Sequence, residues 1–405
     1  MSHETRQAIT TSMNKLIFIP FLTLSPFFFA AGQSYPETYK FTEDIRKDME
    51  RDTTAWKYQV GATNYAFAGD YLNALKAWDE GFKPRNYIPT SQDSVTLQNA
   101  VFKHAIDYIV ERSVNEQIII INEAHHNPKH RVFTRSLLEG LYTNGYRYLG
   151  LEALTDSIIN ERGYAVSESG YYTGEPEFGN LIYEAKKLGF TIFGYEAAPG
   201  KNGKEREIEQ ATNIRQFMET NREGKMLIHC GFDHVYEKEV SSWGKAMAGR
   251  LKEYTGIDPL TIDQVKFTER SKPELSHYFL SAAHHKNPFI MTNPEATVFN
   301  GFGISNQTDL VVLHPVTTYR NGWPDWSTTG RKEYWLPQRK RKKYPGTVQV
   351  LVYRPGEYEN MGIPVTITEL QPGINKPLYL QCNHYTVIIR NKEYVVIDRF
   401  SVVVK

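Results

Sequence analysis

The sequence predicts an α/β protein with a parallel sheet flanked by helices, a helical N-terminal segment and a small antiparallel β C-terminal module. Between about residues 97 and 263, apolar runs alternate with amphipathic helical patterns about every thirty residues, as βαβ units do. These runs are almost continuously apolar, which is expected where both faces of a strand are covered. Beyond about residue 320, apolar residues alternate with period two between Pro, Gly and Asn, as in antiparallel strands.

Residues 1–32 have the form of a leader and signal peptide. A charged start at Lys15 precedes the apolar run Leu16–Phe29, and small residues follow this run. Two prolines interrupt the run, which is too short to span a membrane comfortably. We therefore expect cleavage near Gly32/Gln33 and a periplasmic or secreted mature protein without a membrane span; an uncleaved anchor is the alternative.

Residues 33–110 carry mainly helical patterns. The stretch from Trp56 to Trp78 resembles one tetratricopeptide helix pair around the turn Gly69-Asp70. A single such unit cannot bury its own apolar face, and stable arrays need about three units. We therefore favour a helical hairpin packed on the main domain.

Residues 111–320 form the predicted α/β domain. We predict its strands at Gln117–Asn122, Tyr146–Leu151, Phe190–Tyr195, Lys225–Ile228 and Pro259–Val265, with a late strand at Asp309–His314. The helices that precede and connect them are predicted at Val101–Arg112, Arg131–Asn144, Asn180–Leu188, Lys204–Thr220 and Ser242–Thr255.

Residues 321–405 form the predicted β module, which we expect to be sandwich-like. Its five alternating segments begin at GTVQVLVYRP and end at EYVVIDRFSVVV. The basic run Arg339–Lys343 that precedes them is interpreted as a solvated linker, and a patch for an anionic ligand is the alternative.

Charge and cysteine content narrow the function classes. The formal net charge is +1, so no global field favours nucleic acid or a membrane surface. The two cysteines, Cys230 and Cys382, lie in different predicted domains, and we favour two free thiols over a disulfide. Nothing in the sequence indicates an oligomeric state.

Four of the predicted strands end in a carboxylate, a histidine or both. The carboxyl ends of parallel strands share one edge of the sheet, and ligands bind there. Glu and His are also the side chains that transfer protons and bind metals. We therefore predict one pocket built from these strand ends: Glu123 with His125, Glu152, Glu196, and His229 with His234.

The first strand end has the spacing of a base and the residue that orients it. Glu123 and His125 alternate along an extended chain, so both side chains face the pocket while His126 points away. A carboxylate beside an imidazole selects its tautomer and raises its basicity. On the following helix, Arg131 and Arg135 are four residues apart and share a face, where an arginine can hold an oxyanion.

Taken together, these residues resemble the erythromycin esterase/ChaN-like superfamily, which includes the TraB/TIKI group, over about residues 115–265. The residue before Glu123 is Asn122, where the family usually has Gly, and Asp233 stands where Gly is frequent. The resemblance is carried by Glu123-x-His125, a downstream Arg131 or Arg135, Glu152, the helix motif Arg206-Glu-x-x-Gln210-Ala-x-Asn-Ile214, and His229-x-Gly-x-x-His234.

The resemblance implies a hydrolase of an ester or amide bond that acts on a small molecule or a peptide. In this hypothesis His125 deprotonates water and Glu123 orients it. His229 or His234 acts as the acid or stabilises the oxyanion. Arg131 or Arg135 binds the carbonyl oxygen. The residues expected to line the pocket are Glu152, Glu196, Arg206 and Gln210.

The family also leaves two other function classes open. TIKI-like members resemble metal-dependent peptidases. Metal dependence is therefore open for this chain, and Glu123, His125 and His229 are the candidate ligands for Zn²⁺ or Mn²⁺. ChaN-like members bind haem, so a haem- or metal-binding extracytoplasmic protein without hydrolytic activity is the alternative. A structural or adhesion module is the third hypothesis.

Overall fold

The structure is a computed structural model of the 405-residue chain, and it describes residues 38–240, 243–302 and 307–405. The predicted leader, its cleavage site and the start of the helix predicted at Ser242 lie outside the described residues. Within the described residues, no helix is long and apolar enough to cross a membrane.

The N-terminal part of the described chain is helical, as predicted. The turn between its second and third helices uses Gly69, whose φ of 72° favours glycine, and Asp70, whose side chain caps the third helix through Asn73 N. Asp79 of the third helix accepts a hydrogen bond of 2.7 Å from the backbone N–H of Ser271 in the α/β domain. The helices are α1 (Thr42–Arg51), α2 (Lys57–Phe67), α3 (Tyr71–Phe82) and α4 (Ser91–Gln98).

The predicted start of the helix Val101–Arg112 is wrong. Val101–His104 is a strand, β1, which pairs antiparallel with Phe289–Thr292, and helix α5 begins only at Ala105 (Ala105–Ser113). The partner strand lies almost two hundred residues away and supplies the backbone hydrogen bonds. A local pattern cannot show such a distant partner strand. Pairing with that strand overrides the weak helical propensity of these four residues.

The central sheet contains the six strands that the sequence predicts. All of its strand pairs are parallel, in the order β10-β8-β2-β5-β3-β4. The strands of this region are β2 (Ile118–Glu123), β3 (Tyr146–Leu151), β4 (Thr191–Gly194), β5 (Lys225–Gly231), β6 (Glu239–Val240), β7 (Gly244–Lys245), β8 (Leu260–Asp263), β9 (Phe289–Thr292) and β10 (Leu310–Val311).

Helices cover both faces of this sheet, which explains why the strands are apolar throughout. Ile119 and Ile121 of β2 pack with α5, α6 and α8, whereas Ile118 and Ile120 pack with α9 and α10. The helix predicted from Ser242 begins at Met247, and Gly244–Lys245 (β7) instead pairs antiparallel with β6. The helices are α6 (Lys129–Thr143), α7 (Ile159–Arg162), α8 (Pro176–Leu188), α9 (Gly203–Thr220), α10 (Met247–Thr255) and α11 (Tyr278–Ala282).

The C-terminal part is rich in β structure, as predicted. Four of the five predicted segments form an antiparallel sheet in the order β15-β14-β17-β18, and β16 pairs with β13 instead. Tyr39 and Phe67 of the helical segment share a buried cluster with Leu351 of this sheet. The elements are β11 (Tyr319–Arg320), β12 (Trp323–Pro324), α12 (Asp325–Thr328), β13 (Lys332–Tyr334), α13 (Gln338–Arg341), β14 (Val348–Tyr353), β15 (Thr366–Leu370), β16 (Leu378–Leu380), β17 (Asn383–Arg390) and β18 (Val396–Val404).

Two residues of the basic run contact the β module, whereas Arg339, Lys342 and Lys343 are exposed, as expected of a solvated linker. Lys340 forms an ion pair of 2.7 Å with Asp398 of β18, and Arg341 donates to the backbone oxygen of Ile374. These two contacts hold α13 against the β module. The two cysteines are both free, with Cys230 buried and Cys382 exposed.

Candidate active site

The four strands whose ends carry Glu or His are neighbours in the sheet. In the order β2-β5-β3-β4, their carboxyl ends lie side by side at one edge. This order brings Glu123, Glu152, Glu196 and His229 together, although Glu123 and His229 are more than a hundred positions apart in sequence. The side chains form two connected groups, one around Glu123 and one around Arg206.

In the first group Glu123 holds His125 in one orientation. Oε1 of Glu123 lies 2.9 Å from Nδ1 of His125, and Arg131 binds both oxygens of Glu123 at 2.6 Å. Burial opposes ionisation of Glu123, but the charge of Arg131 holds the pKa of this carboxyl well below its usual range. Glu123 is therefore a fixed carboxylate, which selects the tautomer with a proton on Nδ1 of His125.

Arg131 is placed to support Glu123 rather than to meet a substrate. Its side chain is fully buried, and its Nη1 binds the carboxylate of Glu175 at 3.0 Å. Glu175 caps α8 by accepting from the backbone N–H of Phe178. The guanidinium thus connects α6 and α8 to the end of β2. Because Arg131 is buried and bound to two carboxylates, it does not contact a substrate carbonyl oxygen in this arrangement, contrary to the prediction.

The ring of His125 is enclosed by aromatic side chains but keeps one nitrogen towards the sheet edge. It stacks on Tyr172 with 3.7 Å between ring centroids, and Phe232 meets it edge-on at 5.1 Å. A Cβ added at Gly231 would lie 2.6 Å from Nε2 of His125 and 3.4 Å from Oε2 of Glu152. Gly231 is therefore required here, because a side chain would occupy the space that these two groups share.

The second group is centred on Arg206, whose side chain is 28% exposed. Its guanidinium binds Glu196 through Nε at 3.0 Å and through Nη2 at 2.6 Å, and Nη2 also donates to Glu152. Glu152 in turn accepts from the backbone N–H of Gly231 at 2.5 Å. Arg206 thus joins the ends of β3 and β4, and Glu152 connects this group to the first.

His234 completes the second group. Its Nε2 lies 2.8 Å from Nη1 of Arg206, and its Nδ1 lies 2.9 Å from Glu207. Because a guanidinium only donates, this geometry corresponds to a proton on Nδ1 and an acceptor at Nε2. Burial disfavours the imidazolium, but the carboxylates of Glu152 and Glu207 raise the pKa of His234 overall.

His229 is buried beside Glu123 and does not form a close bond with it. Its Nε2 lies 3.6 Å from Oε2 of Glu123 and has no hydrogen-bond partner among the described residues. Burial lowers the pKa of His229 to about 4, so its ring is neutral at neutral pH. This histidine therefore forms part of the wall behind Glu123.

Two other predicted residues have different placements. Arg135 is directed away from the strand ends and binds Glu177 at 2.6 Å, together with Arg331. Gln210 is fully buried and donates to Oε1 of Glu196 at 2.9 Å. Gln210 therefore belongs to the second group, whereas Arg135 belongs to a separate network of charges.

Asn122 is a site residue that the sequence reasoning treated only as a departure from a family pattern. Its side-chain amide donates to the backbone oxygen of Phe232 and to Asp263, both at 2.8 Å, and its oxygen accepts from the backbone N–H of Gln264. Asn122 therefore fixes the turn after β5 relative to β2 and β8. The departure itself was the signal that could have identified it.

Further residues, not among the predicted site residues, position the catalytic candidates. His130 accepts from the backbone N–H of Ala124 at 3.0 Å, which fixes the turn that carries His125. Glu207 enters the sequence analysis only as the unnumbered Glu of the Arg206 motif, and its place next to Arg206 was the signal that could have identified it. Glu175 lies far from every strand end in the sequence, so no local signal marks it.

The proposed metal ligands do not fit a metal in this arrangement. Among the described residues, no group of three or more His, Cys, Asp or Glu side chains is arranged to hold an ion. Both oxygens of Glu123 accept from Arg131, and Oε1 also lies against Nδ1 of His125, which leaves little of this carboxylate for a metal ion. The set Glu123, His125 and His229 is therefore better described as a dyad with a histidine behind it.

Comparison with known proteins gives only a likeness in fold. No family model and no curated protein matches the chain. It is similar to the type III effector HopBA1, at 10% identity and a TM-score of 0.33, over 52% of this chain and 94% of that chain. This structure and the two described next are of bacterial effectors and toxins, not of erythromycin esterase-like or ChaN-like proteins.

Two further solved structures are similar at the same level. One is RRSP, a MARTX toxin effector domain from Vibrio vulnificus CMCP6, at 14% identity and a TM-score of 0.30, over 60% of this chain and 50% of that chain. The other is described as bacterial protein toxins, at 12% identity and a TM-score of 0.31, over 56% and 53%. The chain thus spans about half the length of these two structures.

Proposed function

We propose that the α/β domain hydrolyses an ester or amide bond of a small-molecule or peptide substrate, with His125 as the general base. The observation that supports this most is the chain of contacts Arg131–Glu123–His125. Glu123 accepts from Nδ1 of His125, so Nε2 is left as a lone pair at the sheet edge. A carboxylate in this position also stabilises the imidazolium that forms when the base takes a proton.

Water is the nucleophile in this proposal. Among the described residues, no Ser, Thr or Cys side chain hydrogen-bonds to His125. The thiol nearest in sequence to the site is Cys230, whose Sγ contacts the backbone oxygen of Ile121, and burial raises its pKa well above the ordinary value. A buried neutral thiol is a poor nucleophile. His125 therefore deprotonates a water molecule, which attacks the carbonyl carbon. When the tetrahedral intermediate collapses, the C–O or C–N bond breaks and the leaving alcohol or amine takes the proton from Nε2 of His125.

Arg206 is the proposed stabiliser of the oxyanion. It is partly exposed at the same edge, and Glu152 links it to the space beside Nε2 of His125. A guanidinium that is already fixed by Glu196 and Glu152 needs no reorganisation as negative charge develops on the substrate. His234 is fixed against Arg206 and Glu207 and keeps that guanidinium in place.

The same geometry supports a distant relationship to the erythromycin esterase/ChaN-like superfamily. Glu123-x-His125, Glu152, the Arg206 helix and the two histidines after β5 all lie at one edge of one sheet. We also propose a periplasmic or secreted location, from the leader pattern of residues 1–32. N-terminal sequencing of the purified mature protein tests this location, and an intact leader would contradict it.

Replacing His125 by Ala tests the hydrolase proposal. The full chain is first assayed against a panel of chromogenic esters and amides. We expect His125→Ala to lower kcat/KM on the substrate that is turned over by at least ~100-fold, because a positioned base contributes that much or more. His384→Ala, at an exposed position of β17, is the matched control and should retain the wild-type rate.

Two results would contradict the proposal. The first is the absence of turnover on the whole panel by the wild type. The second is equal activity of the His125→Ala and His384→Ala variants. Circular dichroism of both variants establishes that any loss is not caused by unfolding.

A further inference from the structure

A cavity of about 600 Å³ lies beside α6, on the face opposite Arg131. Lys129, Val132, Phe133 and Ser136 line it, and their spacing of three and four residues places them on one face of the helix. None of the residues that line it belongs to the candidate active site. Its volume is in the range of pockets that hold small molecules, roughly 300–1,000 Å³.

The walls of the cavity are largely apolar and include two aromatic rings. Phe133 of α6 and Trp326 of α12 supply the rings, and Ile106, Pro315 and Val316 supply aliphatic surface. Phe133 is buried, and Trp326 is supported from behind by Tyr71 at 4.9 Å between ring centroids. Walls of this kind favour an aromatic body that stacks between the rings.

One polar group in the wall lacks a partner. His314 is 3% exposed, and its Nε2 lies 3.0 Å from Oε1 of Gln264. Because Nε2 of Gln264 donates to the backbone oxygen of Asn122, its Oε1 is the acceptor, and Nε2 of His314 carries the proton. Burial lowers the pKa of His314 well below its usual range, so the ring is neutral.

It follows that Nδ1 of His314 is a bare acceptor. It has no hydrogen-bond partner in the part of the chain that the structure describes. A buried acceptor without a donor costs free energy, about 1–3 kcal/mol in general. This atom has almost no accessible surface in the structure, so a ligand that brings a hydroxyl or amino group removes this cost if the side chains over Nδ1 shift when it binds.

Two charged residues in the wall, Lys286 and Asp325, have no ion-pair partner among the described residues, and Asp325 is compensated by neutral hydrogen-bond donors instead. Lys129 is paired with Glu269 at 2.6 Å, and the carboxylate of Asp325 accepts from Thr318 and from the backbone of Trp326. Lys286, which is exposed in the wall, forms no ion pair within residues 38–240, 243–302 and 307–405. An anionic group is therefore the complementary partner at this end.

We propose that this cavity binds an aromatic anion that carries a hydroxyl or amino donor. The aromatic body lies between Phe133 and Trp326, the donor reaches Nδ1 of His314, and the anionic group meets Lys286. This inference is independent of the proposed hydrolase function, because it rests on residues outside the candidate active site.

The probe for this site is 1-anilinonaphthalene-8-sulfonate, which combines aromatic rings, an N–H group and an anion. Titration of the full chain should give saturable fluorescence. Ser136→Trp, which fills the cavity from an exposed position, should weaken binding at least ~10-fold by displacing the apolar contact area. Thr143→Trp, exposed on the same helix but outside the cavity, is the matched control and should bind as the wild type does.

Two further comparisons test the polar contacts. Lys286→Glu should weaken binding about threefold or more, since an exposed ion pair contributes modestly. In competition, 5-hydroxynaphthalene-1-sulfonate should displace the probe about fivefold better than naphthalene-1-sulfonate, which lacks the donor. His314→Phe keeps a ring but removes the acceptor, so it should abolish this difference.

The proposal is overturned by fluorescence that does not saturate, or by equal affinities of the Ser136→Trp and Thr143→Trp variants. Equal displacement by the two naphthalene sulfonates on the wild type would overturn the assigned role of His314.

Discussion

Arg131 shows how a single buried residue determines the ionisation of two carboxyl groups. It binds Glu123 with two nitrogens and Glu175 with a third. One guanidinium cannot compensate two buried carboxylates equally. Glu123 is the ionised partner. Burial raises the pKa of Glu175 to about 7, with Arg131 opposing the shift and Glu177 adding to it.

Replacing Glu175 by Gln should therefore remove a pH-dependent contribution to stability. The folded pKa lies above the ordinary value of 4.5, so this contribution is fully present below about pH 4.5 and is lost as the pH rises through about 7. Between about pH 5 and pH 8, the free energy of unfolding of the wild type should fall relative to that of Glu175→Gln, by on the order of 1–3 kcal/mol. Urea unfolding at each pH measures this difference.

Glu168→Gln is the control for that series, because Glu168 is exposed. It should show the wild-type dependence on pH. A Glu175→Gln variant with the same dependence would show that Glu175 is already ionised in the folded state at acidic pH, contrary to the shift described above.

At the scale of elements, helix α3 supports the turn that carries the proposed base. Trp78 stacks on His126 with 3.9 Å between ring centroids and on Phe232 with 5.5 Å. Phe232 has a φ of 40°, which is unfavourable for a residue with a side chain, and it meets His125 edge-on. The helical segment therefore contacts His126, which follows His125 in the sequence, and Phe232, which meets the edge of its ring.

Trp78→Leu is expected to lower kcat on the order of 10-fold with little change in KM, because a small displacement of a catalytic group has a large effect on the rate. Leucine keeps an apolar side chain but loses the stacked ring. Steady-state kinetics on the substrate found for the wild type separate kcat from KM.

Trp56→Leu serves as the control, since Trp56 belongs to the same segment and is 60% exposed. It should leave both constants unchanged. A Trp78→Leu variant that keeps the wild-type kcat while its Tm falls would show that α3 contributes stability alone.

For the whole molecule, buried neutral histidines dominate the response to acid. Burial is the first cause in each case, and each of these rings has a pKa below the ordinary value of 6.5. The shifted histidines are His126, His130 (about 3), His229 (about 4), His277 (about 4) and His314. At these five histidines the folded state therefore binds fewer protons than the unfolded chain between about pH 6.5 and pH 4, whereas His234, whose pKa is raised, acts in the opposite direction.

The free energy of unfolding should accordingly decrease as the pH falls from about 6.5 to about 4. In the unfolded chain these imidazoles are exposed and bind protons, whereas in the folded state they are buried and stay neutral, so a lower pH favours unfolding. Denaturant midpoints at several pH values measure the effect. Glu175 acts in the opposite direction, so Glu175→Gln should lose stability more steeply on acidification. A constant or rising stability over this range would contradict the prediction.

Local patterns were sufficient for most of the fold. The strands at Tyr146–Leu151 and Lys225–Gly231 were recognisable because strands that are covered on both faces are apolar along their whole length. The strand Val101–His104 was not recognisable, because its partner is Phe289–Thr292. The periodicity of either segment does not indicate a pairing partner that is so far away in the sequence.

The chain's own residue pattern was enough to establish a parallel sheet with Glu and His at one edge, since strand ends in such a sheet converge whatever their order. It did not reveal which carboxylate meets which cation. Folding directs Arg131 to Glu123 and Arg135 to Glu177, although both arginines lie on one helix only four residues apart. It also places Glu175 behind the dyad and leaves a cavity beside α6. These outcomes depend on distances between side chains from remote segments, and such distances exist only once the elements are packed.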